Sequence, residues 1–489
     1  MIAVVLALLL VPLAAGIICA ILPARNAKAA SAVTVVSGVA CFALVLALVP
    51  AAAHHDLSYL SYLRVDAVSA IFLLATSFLY AAVAVYAVGY LKRHEDLYAK
   101  RFYAGLNLFA WAMLAAPLMS SLALLWIAVE VTTIISALLV AIEALPTEDG
   151  DGAVEAAWKY MLIASAGLGL ALLATVFAYY AGSQVLGEHY NLAIQPLIQA
   201  GAHLPHTPVR LAFLLALLGY GTKVGLFPVH TWLPDAHSEA PTPVSALLSG
   251  SLLAVSFYAI LRFYQVAAAT LGSGFPRDAL LAFGVASLLL AALYVFGQRD
   301  IKRLLAYSSV EHMGILTIGV SFGAPVALAG VMLHVLAHAA AKGNAFMGAG
   351  VFTVKFGSKQ TSALRGGLDV LPWSGPLFLL AIFALSAMPP SGIFRSEFQI
   401  VYGGLGSGNY AAAAVLVVLV TVAFFGLTAS VTGMLLTPAP RGLARSEPSA
   451  WMVVPVVAGV VVLFILGLHP PGELTGLIYR AVAELGAVR

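Results

Sequence analysis

Apolar runs long enough to cross a lipid bilayer recur about fourteen times along the chain, separated by short polar segments. They fall at 2–22, 30–50, 66–90, 105–120, 121–142, 157–181, 210–229, 244–267, 279–297, 303–322, 324–354, 374–401, 410–437 and 450–468. Only the polar Ser120-Ser121 step divides the fourth run from the fifth. In lipid a backbone polar group must be satisfied within the chain, so runs of this length predict helices. The pattern predicts an all-α polytopic membrane protein. The first run, MIAVVLALLLVPLAAGIICAILP, is near full spanning length and has no basic segment before it, so it reads as a span and not as a signal peptide.

Two runs contain helix breakers well inside their apolar stretch. The seventh carries Lys223 and then breaks at Pro228, entering VHTWLPDAHSEAPTPVS with Pro234, Pro241, Pro243, His230, His237, Asp235 and Glu239. The twelfth holds Pro389-Pro390, Gly392, Arg395 and Glu397 in SAMPPSGIFRSEFQIV. Broken helices at corresponding positions are the sequence sign of an inverted repeat with its ion path at the breaks. The expectation is two inverted five-helix repeats, spans 4–8 and spans 9–13, with helices 7 and 12 broken. An odd number of spans per repeat turns the second copy upside down. This gives an N-terminal three-helix region at 1–104 and half-channels at 105–267 and 279–437. A C-terminal helix and tail follow at 438–489.

Composition sharpens the class. The chain of 489 residues is 62% hydrophobic and 9% charged, far below the quarter of charged residues usual in soluble proteins. A net charge of +3 gives no reason to expect nucleic acid. Cys19 and Cys41 both lie within apolar runs, so neither a disulfide framework nor a cysteine metal site is indicated. With the N-terminus outside, fourteen of the 24 basic residues, Arg441 among them, fall in inner loops, against six, Arg489 among them, on the outer side. This bias puts both termini on the non-cytoplasmic side. The acidic inner loop EALPTEDGDGAVE, from Glu143 to Glu155, does not change that, because acids count little in the rule.

Ionisable residues inside spans carry the chemistry, since each is costly in lipid and functional by default. Glu130 stands in LLWIAVEVTTIISALLV without a basic neighbour. Its plain alternative is a protonated carboxyl bonded to Thr132 or Thr133. The functional reading pairs it with Lys223, as a proton switch that opens and closes. His334, His338 and Lys342 follow at i, i+4 and i+8 and share one helical face. Such a stripe can relay a proton or position water. The plain alternative is imidazoles satisfied by carbonyls or serines of neighbouring helices. A zinc site is not expected, because no carboxylate or cysteine accompanies the histidines on that helix. His312, after Glu311, lies near the start of the tenth span. Lys159, one turn into the sixth, is either a snorkelling anchor or a participant. Asp300, Lys302 and Arg303 read as an interfacial charge cluster.

KVGLFPVHTWLPDAHSEAPTPVSALLSG, DIKRLLAYSSVEHMG and HVLAHAAAKGNAFMGAG together resemble the proton-conducting antiporter-like membrane subunits. That family includes the large membrane chains of respiratory complex I, the multisubunit sodium/proton antiporters and the energy-converting membrane hydrogenases. The resemblance covers roughly residues 60–435. MPPSGIFRSEF and EAAWKYMLIASAG are most similar to hydrogenase-4 component F and formate hydrogenlyase-type subunits. It implies roles by position: Glu130 as the fifth-span glutamate and Lys223 as the seventh-span lysine. His312 answers to the tenth-span histidine, His334, His338 and Lys342 to the central relay, and Glu397 to the twelfth-span acid. Lys159, His230, Asp235, His237 and Arg395 are accessory candidates. Many members carry an eighth-span lysine where this chain has Ala254, which leaves the lateral link to water, Ser251, Ser256 or Tyr258.

No cysteine cluster, haem motif or glycine-rich dinucleotide loop is present in the sequence, so iron–sulfur, nickel–iron, flavin or quinone chemistry is expected only in partner subunits. The expected function is ion translocation, of protons with sodium as the alternative, within a redox-driven complex of the hydrogenase or complex I type. Its expected partners are membrane subunits of the same family and a peripheral redox arm, in a bacterial or archaeal cytoplasmic membrane. The competing readings are a subunit of a multisubunit sodium/proton antiporter, the proton-flux partner of an inorganic-carbon accumulation complex, a stand-alone solute transporter and a quinone-binding or purely structural subunit.

Overall fold

The structure is a computed structural model and describes residues 1–144, 151–440 and 442–486. The expectations that fall on Arg441, Arg489 and the middle of the acidic loop (145–150) lie outside the described residues. Helix makes up 81% of the fold. Among the described residues, ten helices are long and apolar enough to cross a membrane.

α1 (Ile2–Ile21) and α2 (Ala27–Ala52) precede a short antiparallel hairpin of β1 (Leu57–Tyr59) and β2 (Leu63–Val65). α3 (Ala67–Tyr90) starts at Asp66, whose carboxylate accepts from the Ser69 N–H, an N-cap that satisfies one orphan donor of the first turn. α4 (Asp96–Ala115) begins well before the expected 105, because its first turns carry Asp96, Lys100 and Arg101, which an apolar count passes over. A 3-10 turn at Ala116–Leu118 and the extended Ser121 then separate it from α5 (Leu122–Ala141).

α6 (Asp151–Leu186) runs 36 residues, past the expected 181. A short α7 (Ile194–Gln199) leads to α8 (His206–Val224). Gly225, at φ 82°, closes α8 in the left-handed conformation that lets a glycine end a helix. The break that follows holds its own short helices, α9 (Trp232–Glu239) and α10 (Thr242–Leu247). A wide turn at Leu248–Leu252 joins α10 to α11 (Leu253–Leu271).

α12 (Gly274–Tyr294), α13 (Ile301–Phe322) and α14 (Pro325–Phe356) follow, with Asp300 capping α13 through the Lys302 and Arg303 N–H groups. After a single turn, α15 (Gly367–Val370), the twelfth apolar run is two pieces, α16 (Ser374–Leu385) and α17 (Gly392–Gly406). α18 (Tyr410–Leu435) and α19 (Ala450–Leu468) come next. α20 (Gly472–Gly486), an amphipathic helix, was not among the expected elements because it is too short and too charged to register as an apolar run.

α3, α11 and α14 form the interior. Leu79 of α3 wedges between Gly250 of the wide turn and Gly343 of α14, and a Cβ at either glycine would stand 2.5 and 2.4 Å from its methyls. This close approach seats the wide turn against α14 at Ala339.

Candidate functional site

Lys223 lies on the last turn of α8, fully buried. Its Nζ donates to Thr133 Oγ1 of α5 at 2.6 Å and to Tyr160 OH of α6 at 2.7 Å. Tyr160 OH also meets Ser136 Oγ at 2.7 Å, and the Trp232 ring of α9 lies 4.4 Å from the Tyr160 ring. The expected direct pair with Glu130 is not formed. Glu130 sits on α5 one turn before Thr133 and accepts from Ser165 Oγ of α6 at 3.0 Å, while its Oε2 has no partner among the described residues. The two charged groups are in electrostatic reach of each other, with hydroxyls standing at the ammonium. Nor do Thr132 and Thr133 bond the carboxyl, since both donate to the Val129 carbonyl. A cation held by neutral acceptors keeps its place whether or not the acid is ionised.

The central row is assembled from three helices. His312 of α13 meets His334 of α14, Nδ1 to Nε2, at 3.1 Å. The other ring nitrogen of His334 meets Ser396 Oγ of α17 at 2.9 Å, and His312 Nδ1 stands 3.7 Å from Glu397 Oε1, also on α17. His338 is buried with both ring nitrogens unpartnered among the described residues. Lys342 is fully buried, and its Nζ donates to the Leu305 carbonyl of α13 at 3.1 Å. Glu311, buried beside His312, lies in electrostatic reach of Lys342.

The accessory candidates divide. His237, buried on α9, stacks on Phe346 of α14 at 5.0 Å and lies in electrostatic reach of Lys342, so the first break touches the central row. His230 is buried with Nδ1 unpartnered among the described residues. Asp235 pairs with Arg303 at 2.7 Å at a partly exposed position. Lys159 is exposed and pairs with Glu155 one turn away. Arg395 donates to the Gly467 and Leu468 carbonyls at the end of α19. The expected charge cluster at Asp300 is more enclosed than an interface requires. Lys302 is buried and donates to the Ala240 carbonyl, and Asp300 accepts from Ser238, so α13 is tied to the broken segment at α9.

Ala254 is buried within the fold. Ser251 and Tyr258, one turn either side of it, bond Thr76 and Ser69 of α3, while Ser249 meets Ser309 of α13 at 2.7 Å. Sequence reasoning named Thr133 only as an alternative partner of Glu130, did not single out Ser136, Tyr160, Ser165, Ser309 or Ser396, and saw Glu311 only as the neighbour of His312.

The family model described as NADH:quinone oxidoreductase/Mrp antiporter, transmembrane, matches residues 119–425. A hydrogenase-4 component F homolog of Methylacidiphilum infernorum (isolate V4) is 33% identical over 418 residues, 84% of this chain and 86% of that protein. NADH-quinone oxidoreductase subunit N of Desulforudis audaxviator (strain MP104C) is 29% identical over 434 residues, 86% and 84% of the two chains. The fold is shared with a chain of the Mrp complex from Dietzia sp. DQ12-45-1b, with TM-score 0.84 at 22% identity over 99% of this chain and 97% of that one. It is shared also with a chain of the membrane-bound sulfane sulfur reductase, an archaeal respiratory membrane complex, with TM-score 0.87 at 18% identity over 99% and 98%. These features define a multi-pass membrane protein. The chain belongs to the NADH:quinone oxidoreductase/Mrp antiporter family of membrane subunits.

Proposed function

We propose that this chain is the proton-translocating membrane subunit of a multisubunit redox-driven complex of the hydrogenase-4 or complex I type. The carrying observation is that two fully buried lysines, Lys223 and Lys342, sit in polar settings at the first break and at the centre. An ammonium on neutral oxygens can lose its proton without leaving an orphaned carboxylate. Glu130, Lys223, the His312–His334–His338–Lys342 row and Glu397 are the groups that load, pass and release the ion.

On this reading fourteen spans are made of the ten apolar helices together with α4, α8, α13 and the split pair α16 and α17. Spans 4–8 and 9–13 are inverted repeats, covering 105–267 and 279–437, flanked by 1–104 and 438–489. Both termini face away from the cytoplasm across a bacterial or archaeal cytoplasmic membrane. Cofactors reside in partner subunits, which comprise further members of this family and a peripheral redox arm.

Substituting Glu130→Gln or Lys223→Ala is expected to abolish most coupled pumping while the complex still assembles. A pH dye in membrane vesicles during turnover reads this, and near-normal pumping by both variants would defeat the reading. Sodium-dependent pumping with an unchanged dye signal would instead favour the antiporter alternative.

A further inference from the structure

We propose that His312, His334, His338 and Glu397 form a binding site for a divalent transition metal of the zinc type. His312, His334 and Glu397 each offer one ligand atom, and the three atoms lie within 4.8 Å of one another. The absence of a carboxylate on α14 does not count against a metal, because α17 supplies one across the helix interface.

The spacing fits the ion. Zinc bonds to imidazole nitrogen and carboxylate oxygen run to about 2.0–2.2 Å, so neighbouring ligand atoms on a tetrahedron stand roughly 3.3–3.5 Å apart. The separations here are 3.1 Å between His312 Nδ1 and His334 Nε2, and 3.7 Å between His312 Nδ1 and Glu397 Oε1. His338 stands outside that trio and reaches a fourth position only by turning its ring. Its ring lies 5.2 Å from the His312 ring and 6.2 Å from the His334 ring, and both its nitrogens are buried without partners among the described residues. Glu397 Oε1 is likewise buried and unpartnered.

The surroundings also suit a ligated histidine. Ser396 Oγ meets the second nitrogen of His334 at 2.9 Å and gives its own proton to the Ile393 carbonyl, so it accepts from Nδ1 and leaves Nε2 free for a metal. Three neutral imidazoles and one carboxylate leave one positive charge on the bound ion. Hard cations such as magnesium prefer oxygen donors, so this nitrogen-rich set selects against them. The site uses side chains assigned above to conduction but does not depend on that role. An ion bound there would tie up the nitrogens of the row and halt transfer through it.

The test is a cobalt(II) titration of the assembled complex, purified on a tag without histidine, followed by visible absorption and by displacement with zinc. The expected result is one intense tetrahedral-type band per chain that zinc removes. Glu397→Gln or His338→Ala should weaken binding at least about ten-fold. His338→Asn replaces any variant not recovered in the membrane. The surface variant His54→Ala/His55→Ala should keep the band. A band that survives the ligand variants, or that vanishes with the surface pair, overturns the metal site. Pumping measured on the same preparations separates the two readings. Cobalt binding lost with pumping intact would support the metal site and remove these residues from conduction. Pumping lost with cobalt binding unchanged would do the reverse.

Discussion

The Nζ of Lys223 ends on the hydroxyls of Thr133 and Tyr160, and this changes what a single substitution should do. A hydrogen bond to a charged group contributes about 1.5–3 kcal/mol, so Tyr160→Phe should weaken the charged form of the lysine without disturbing assembly. Pumping assayed against pH would then shift its profile, and an unchanged profile would show that Tyr160 is only a packing partner. In the central row, Lys342→Met is expected to impair translocation more than His334→Ala. The lysine is the member that can hold a full charge near neutral pH, whereas the histidine's neighbours can still order water. Vesicle pumping by the two variants side by side decides the order. Lys223, His334, His338 and Lys342 are legible in the sequence because an ionisable residue inside an apolar run stands out. Tyr160 and Ser396 are not, because hydroxyl residues are ordinary in membrane helices and only the packing of a second helix gives them a partner. Lys159 shows the same limit: one position along a helix turns the side chain by about 100°, and it is the neighbouring Tyr160 that faces Lys223.

Between α3 and α11 the polar contacts recur at helical spacing. Ser251 bonds Thr76, Tyr258 meets Ser69 at 3.0 Å, and Arg262 grips Asp66 at 2.6 and 2.7 Å. Ala254 falls on this seam, one turn from both Ser251 and Tyr258, so the position lacking a lysine still has polar neighbours along it. Ala254→Ser is expected to leave assembly intact, whereas Ala254→Lys adds bulk and charge to a closely packed position. Overpacking costs about 1–3 kcal/mol even without the charge, so the lysine variant should reach the membrane in reduced amount. Quantitative blotting of the membrane fraction checks this, and normal yield with altered pumping would point to a water-filled seam. The apolar runs marked the helices to within about one or two turns, with the start of α4 the widest miss, and the prolines fell at both breaks. The hidden helices α9 and α10 inside the first break escaped detection because six to eight residues are too few for a period to register. The interlock of Leu79 with two glycines escaped it because contacts across helices leave no periodic trace.

At the scale of the whole molecule, α20 closes the structure onto its own beginning. Glu484 accepts from the Ala67 and Val68 N–H groups at the start of α3, while Arg480 pairs with Asp56 at 2.5 Å and lies 3.4 Å from Glu484. Burial, with the nearby Asp66 carboxylate adding to it and Arg262 opposing, pushes the Glu484 carboxyl from 4.5 up to about 7. The docked helix therefore favours the protonated acid. This contribution to docking is full below about pH 4.5 and is lost as the pH rises through about 7. Amide exchange along α20 should quicken over that window, and Glu484→Gln should remove the dependence; equal exchange in both proteins would dissociate the latch from Glu484. The burial of charge in α8 and α13 also bears on how the chain enters the bilayer during synthesis. α13 carries Lys302, Arg303, Glu311 and His312, and α8 carries Arg210 and Lys223. The buried Lys223 of α8 and Glu311 of α13 would each cost about 2.5–3.5 kcal/mol on insertion scales if left facing lipid, so neither helix is expected to partition there alone. Each packs extensively on an apolar neighbour, α8 on α6 and α13 on α12. Membrane integration should thus proceed as helical hairpins, the apolar member waiting beside the translocon until its polar partner is made, and a nascent chain halted between the two would stall half-inserted.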